Sequence, residues 1–308
     1  MPTGDQALKL RQMVASRRKG ATDAIQSDER AREGWLSDGG GTVIAITSGK
    51  GGVGKSVMTA NLGLYYAMSG KKVLLLDADF GLANLDVMLG LNAEKNIRDV
   101  LLGETSIDDI TLQGPEGIRL IPGGNGIREL ANLSQSQVTG LMDQMSGFDQ
   151  DFDVLLIDTA AGIAEGVSGV LLEADVVIVV TQPEPTAVLD AYAIIKTLAA
   201  DRPGTPAFVV ANRVQSEQQG STVFNNLQNV AGRFLGVKLD FAGSIPEDSS
   251  LRESIRLRRP SLLEFPESNF SKAVGRIATT ISRLLSEKER PGRGIGRFWS
   301  RIISQGGK

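Results

Sequence analysis

The chain has 308 residues, a net charge of −3, and neither cysteine nor histidine. That length permits a large core without disulfides or a structural metal. The missing thiols and imidazoles exclude disulfide frameworks, cysteine-held iron–sulfur clusters, most zinc sites and every imidazole acid or base. Any catalysis must then use carboxylates, lysines, backbone amides or a bound cation, and the acidic balance argues against a surface coated in nucleic acid.

Residues 1–41 read as an appendage: a short helical stretch opened by Asp5, then polar sequence, then the joint Gly39-Gly40-Gly41. No apolar h-region marks the start as a signal peptide. The body, 42–289, carries short apolar, β-branched runs at 42–47, 73–77, 118–121, 154–158, 176–181, 207–211 and 241–245. Helical spacing lies between most of them, at 55–69, 186–200 and 221–235, with a last core helix over 269–287. This alternation predicts an α/β fold, one doubly wound and mostly parallel sheet with helices on both faces. Past the break at Pro291-Gly292, residues 290–308 are basic and hold no carboxylate side chain. Ile295, Phe298, Trp299, Ile302 and Ile303 share one helical face opposite Arg293, Arg297 and Arg301. Bulky apolar residues backed by arginines suit an anionic membrane surface, while docking of the same helix on its own core stays open. No apolar run approaches the ~20 residues needed to span a bilayer.

In open α/β sheets, ligands sit beyond the carboxyl ends of the strands. After the first strand come Gly49, Lys50, Gly51, Gly52, Val53, Gly54, Lys55 and Ser56, followed by a helix. This is the phosphate-loop pattern: glycines let several N–H groups turn inward onto phosphate, and the helix start adds its positive dipole end. Lys55 would reach the β- and γ-phosphates and Ser56 would supply an oxygen to Mg2+. Asp77 and Asp79 follow the second strand, and carboxylates there are tolerable only with a cation or attacking water between them and the phosphates. Asp158, closing Val154-Leu155-Leu156-Ile157, has the form of a Mg2+-holding carboxylate, and Thr159-Ala160-Ala161-Gly162 can serve as a γ-phosphate switch. Asn212 and Arg213 are read as following the sixth strand, and Pro246, Glu247 and Asp248 the last. An asparagine amide can pair with both edges of adenine.

Lys50, a second lysine in a loop that needs one, makes this segment resemble the deviant Walker A motif of the MinD/ParA family. The resemblance covers residues 42 to about 287. It implies a slow, Mg2+-dependent ATPase that dimerises with ATP, with Lys50 crossing to the nucleotide of the second subunit. It assigns Asp79 to the hydrolytic water, beside Ser56 and Asp158 around Mg2+. Asn212 would read adenine, the segment at Pro246 would close over the base, and Glu184 would lie beside the dimer face. The guanine-reading Asn-Lys-x-Asp pattern is absent at Asn212, so ATP is expected over GTP.

Asp5, Gln6, Ala7, Leu10 and Arg11 resemble the activator helix of the FlhG (FleN/YlxH) group. The resemblance implies stimulation of an FlhF-like GTPase, contact with a flagellar transcriptional regulator or switch protein, and control of flagellar number and placement. It places the protein in the cytoplasm, peripherally on the inner membrane face when ATP-bound. The acidic balance and the Trp299-bearing tail argue against direct DNA binding. A MinD-type division-site ATPase and a ParA-type partitioning ATPase are the alternatives.

Overall fold

The computed structural model describes residues 41–79, 83–124, 144, 152–162, 170–287 and 298. The activator motif (Asp5, Gln6, Ala7, Leu10, Arg11) and Ile295, Trp299, Ile302 and Ile303 lie outside them.

Strand β1 (Thr42–Thr47) leads into helix α1 (Lys55–Met68), and β2 (Val73–Ala78) into three short helices, α2 (Leu85–Met88), α3 (Ile97–Leu101) and α4 (Ile107–Ile110). Strands β3 (Leu112–Gln113), β4 (Arg119–Ile121), β5 (Val154–Thr159) and β6 (Val176–Thr181) follow, then α5 (Pro185–Asp201). The remainder is β7 (Ala207–Val214), α6 (Glu217–Leu235), β8 (Asp240–Pro246), α7 (Ser249–Arg256), α8 (Ser261–Glu264) and α9 (Asn269–Ser286).

The eight strands form one sheet in the order β3-β4-β2-β5-β1-β6-β7-β8. Every pair is parallel except β3 with β4. The expected doubly wound α/β architecture is therefore present. The antiparallel edge strand β3 was not expected, because two residues carry no readable period.

Strand alternation splits the core in two. Val43, Leu74, Leu76, Leu155, Ile157, Val177 and Val179 pack on one face with Ala191, Ile194 and Leu198 of α5 and Leu227 of α6. Ile44, Ile46, Val73, Leu75, Leu156 and Ile178 pack on the other with Leu62 and Leu64 of α1 and Val274 and Ile277 of α9. Each strand is apolar on both faces because helices cover both. With β1 between β5 and β6, the strand order reverses at β1, and the crevice above that reversal is where the phosphate loop emerges.

Phe298 corrects one expectation. It is 2% exposed and belongs to the α5–α6 core face, so in this state it serves the protein's own interior instead of facing a membrane.

Candidate functional site

The loop between β1 and α1 is shaped by two glycines with positive φ, Gly52 at 76° and Gly54 at 100°, and Gly54 is the residue preceding the first turn of α1. Side chains are disfavoured in that region, so glycine is required for the curl. Both ends of the loop are braced. A Cβ on Gly49 would come within 2.2 Å of the backbone at Asp190 in α5, and one on Gly54 within 2.4 Å of the Asn212 amide nitrogen. Around Gly51 and Gly52 there is open space, as a phosphate-receiving concavity requires. Lys55, the first residue of α1, is buried at the floor of the loop.

Asp158 lies beneath this loop, near the end of β5, and is 1% exposed. Thr59 Oγ1, one turn further along α1, donates to its Oδ1 at 3.2 Å. Burial pushes the Asp158 carboxyl up to about 7; the Ser56 hydrogen bond opposes this, Asp77 reinforces it and the Lys55 charge opposes it again. Its Oδ2 is buried with no hydrogen-bond partner. An orphaned carboxylate oxygen beside a serine hydroxyl is a donor set that a hard cation would complete. Among the described residues no three carboxylates converge, so the phosphates and water would have to supply the remaining Mg2+ ligands. The residues present fit the ion.

Asp77 pairs in register with Asp158 across β2 and β5. Its Oδ1 accepts from the Asp79 amide at 3.1 Å, and its Oδ2 from Asn84 and Leu85 at 2.9 and 3.0 Å. It therefore holds both ends of the loop that carries Asp79. Burial raises its carboxyl to about 6, against the pull of those three amides. The switch segment joins the same assembly: the Gly162 amide donates to Ser48 O at 2.9 Å, and Thr159 Oγ1 to Ile46 O at 3.1 Å.

Lys50 Nζ lies 2.6 Å from Glu184 Oε2, with side-chain exposures of 43% and 54%. Glu184 is the residue preceding α5, and its carboxyl is held below the usual range by the Lys50 hydrogen bond and charge, with a smaller pull from Arg213. The two lysines of the loop thus occupy different surroundings, Lys55 buried and Lys50 at the surface.

Asn212 and Arg213 lie inside β7, which continues to Val214, and not after it. Asn212 is 6% exposed; its Nδ2 donates to Val53 O at 2.6 Å and its Oδ1 accepts from the Arg213 amide at 2.8 Å. Pro246 ends β8, and the Glu247 amide donates to Val214 O at 3.2 Å. Asp248 follows directly and serves as a cap. Its Oδ1 accepts from the Ser250 amide and hydroxyl and its Oδ2 from the Phe270 amide, so the carboxylate pins α7 to α9. Sequence reasoning missed Thr59, whose only signal is a hydroxyl three residues after Ser56. It also missed Thr47, whose buried Oγ1 has no partner at the end of β1.

The AAA domain family matches residues 41–201. The chain is 42% identical to the antiactivator FleN of Pseudomonas aeruginosa, over 78% of this chain and 85% of that protein. It is 35% identical to the flagellum site-determining protein YlxH of Helicobacter pylori, over 84% and 89%. Among solved structures, the MinC:MinD cell division protein complex of Aquifex aeolicus superposes with a TM-score of 0.63 at 30% identity, covering 81% of this chain and 98% of that one. Phosphate loop, buried carboxylate, outward lysine and these likenesses converge: the chain belongs to the MinD/ParA family of ATPases, in the FlhG (FleN/YlxH) group of flagellar regulators.

Proposed function

We propose that this ATPase is a dimerisation and membrane-association switch regulating flagellar number and placement, and that its N-terminal motif stimulates an FlhF-type GTPase. The observation carrying the switch is the Lys50–Glu184 pair. Lys50 makes a half-exposed ion pair, weak because water screens it, at the edge of the loop whose other lysine is buried. A tie that weak can be exchanged for the phosphates of a nucleotide in a second copy.

In the bound state the loop amides and Lys55 would hold the phosphates. Ser56 and Asp158 would hold Mg2+, which would supply charge neutralisation at the phosphates. Asp79, kept in place by Asp77, would orient the attacking water. Gly162, tied to Ser48, couples the switch segment to occupancy of the loop. At the far end, Phe298 must leave the α5–α6 core before the face it shares with Ile295, Trp299, Ile302 and Ile303 can meet anionic lipid.

Light scattering tests the switch: Asp79→Ala should stop turnover yet give dimers with ATP and Mg2+, and monomers at saturating ATP would sink the reading. Sedimentation with anionic liposomes tests the tail, since removal of residues 290–308 should release the protein. A peptide of residues 1–19 should accelerate an FlhF-type GTPase; if it does not, the division-site alternative gains.

A further inference from the structure

Asn212 is engaged with the protein on both edges of its amide. The Oδ1 edge is fixed by the Arg213 amide, and that fixes which way the Nδ2 edge faces, onto Val53 O near the helix end of the phosphate loop. The local backbone is arranged for this. The β7–β8 register shifts between Asn212 and Val214, and Arg213 sits in the left-handed region at φ 54°. A bulge re-aims the side chain beside it, and left-handed backbone at a residue other than glycine persists only where the surroundings enforce it. The Asn212 amide fills the space a Cβ at Gly54 would need, so Gly54 is constrained by contact as well as by φ.

Reading a base would require only free amide edges at the pocket. The Val53 bond does something else: it ties the phosphate loop to β7 across 159 residues of sequence. We infer that Asn212 is a positioning residue for the phosphate loop, holding Val53 and Gly54 in the phosphate-receiving curl whether or not a base is present. This rests on the loop taking a nucleoside triphosphate.

The test separates base from phosphate. In Asn212→Ala, affinity for ATP and for inorganic tripolyphosphate, each with Mg2+, should fall alike, by about 5- to 10-fold as expected for one lost buried hydrogen bond. A loss confined to ATP would overturn the inference, because Asn212 would then act on the base alone. Amide hydrogen exchange in the nucleotide-free protein gives a second readout that needs no ligand, so its outcome is separate from the ATP-binding reading. Exchange across residues 49–56 should quicken in Asn212→Ala while the rest of β7 keeps its protection. Unchanged loop exchange, or faster exchange spread over β7, would reduce Asn212 to a packing residue and equally overturn the inference.

Discussion

The phosphate loop is held at its two ends by contacts of the same length and opposite character. Asn212 Nδ2 to Val53 O and Lys50 Nζ to Glu184 Oε2 are both 2.6 Å. The first is buried and neutral, the second an ion pair half open to water. Length does not rank them; the surroundings do. A buried amide has no water to replace its partner, so breaking that bond leaves an unsatisfied carbonyl. An exposed ammonium exchanges a carboxylate for water or phosphate with little change in free energy. One end of the loop is therefore built to stay and the other to let go.

The largest effects should come from breaking the fixed end. Gly54→Ala forces a methyl into the space of the Asn212 amide at φ 100°, and left-handed backbone alone costs about 1–2 kcal/mol for such a residue. ATP affinity measured by calorimetry should drop on the order of 100-fold, as those two penalties add. Wild-type affinity would mean that the loop reshapes freely and the brace is incidental.

Next comes Asp158, where function and stability oppose each other. Its carboxyl is raised to about 7 by burial, so the folded protein binds this proton more tightly than the unfolded chain. Stability from this group therefore falls as pH rises from the unfolded carboxylate range toward 7, and the full penalty applies above it. Asp158→Asn removes the penalty. Turnover should fall about 100-fold or more, while the nucleotide-free protein melts higher than wild type at pH 8 and loses that advantage near pH 5. An unchanged melting temperature at pH 8 would show that the buried carboxylate is compensated by something other than a bound cation. Thr59→Val should be milder, about 10-fold in turnover with a melting temperature lowered by a few degrees, because it removes one of the hydroxyls that orient Asp158 and leaves that buried oxygen without its donor.

How far the sequence reaches into these regions follows from the range of each signal. Runs such as Val176–Thr181, apolar on both faces, announce a covered parallel strand by themselves, and residues 49–56 are local in chain and space. The fold and the loop were legible for that reason. Contacts were not. Asn212 to Val53 spans 159 residues and Thr59 to Asp158 spans 99, and no local period records which strand end faces which. The apolar run alone predicts an end of β7 at 211, because the polar pair Asn212-Arg213 interrupts it where the backbone nevertheless continues through a bulge. Phe298 shows the same limit from another side. An apolar stripe opposite arginines reads identically whether it covers lipid or its own core, and only the packing reveals that Phe298 lies inside.

The smallest expected effect lies at the releasable end. Glu184→Gln keeps the size of the side chain and removes its charge, leaving Lys50 without its carboxylate partner at the surface. Since the pair is half exposed, folding stability should barely change, within a few degrees in a thermal melt. If Lys50 turns to the other subunit's phosphates in the dimer, only the monomer keeps this contact, so its loss should shift the balance toward the dimer. Light scattering across an ATP titration should show half-maximal dimerisation at about 2- to 5-fold lower ATP, the range that a surface ion pair allows. The gap should narrow at 0.5 M salt, where screening weakens the wild-type pair as well. A midpoint that moves to higher ATP would mean that Glu184 works across the dimer interface instead of restraining Lys50 in the monomer, and the two ends of the loop would then both be fixed points.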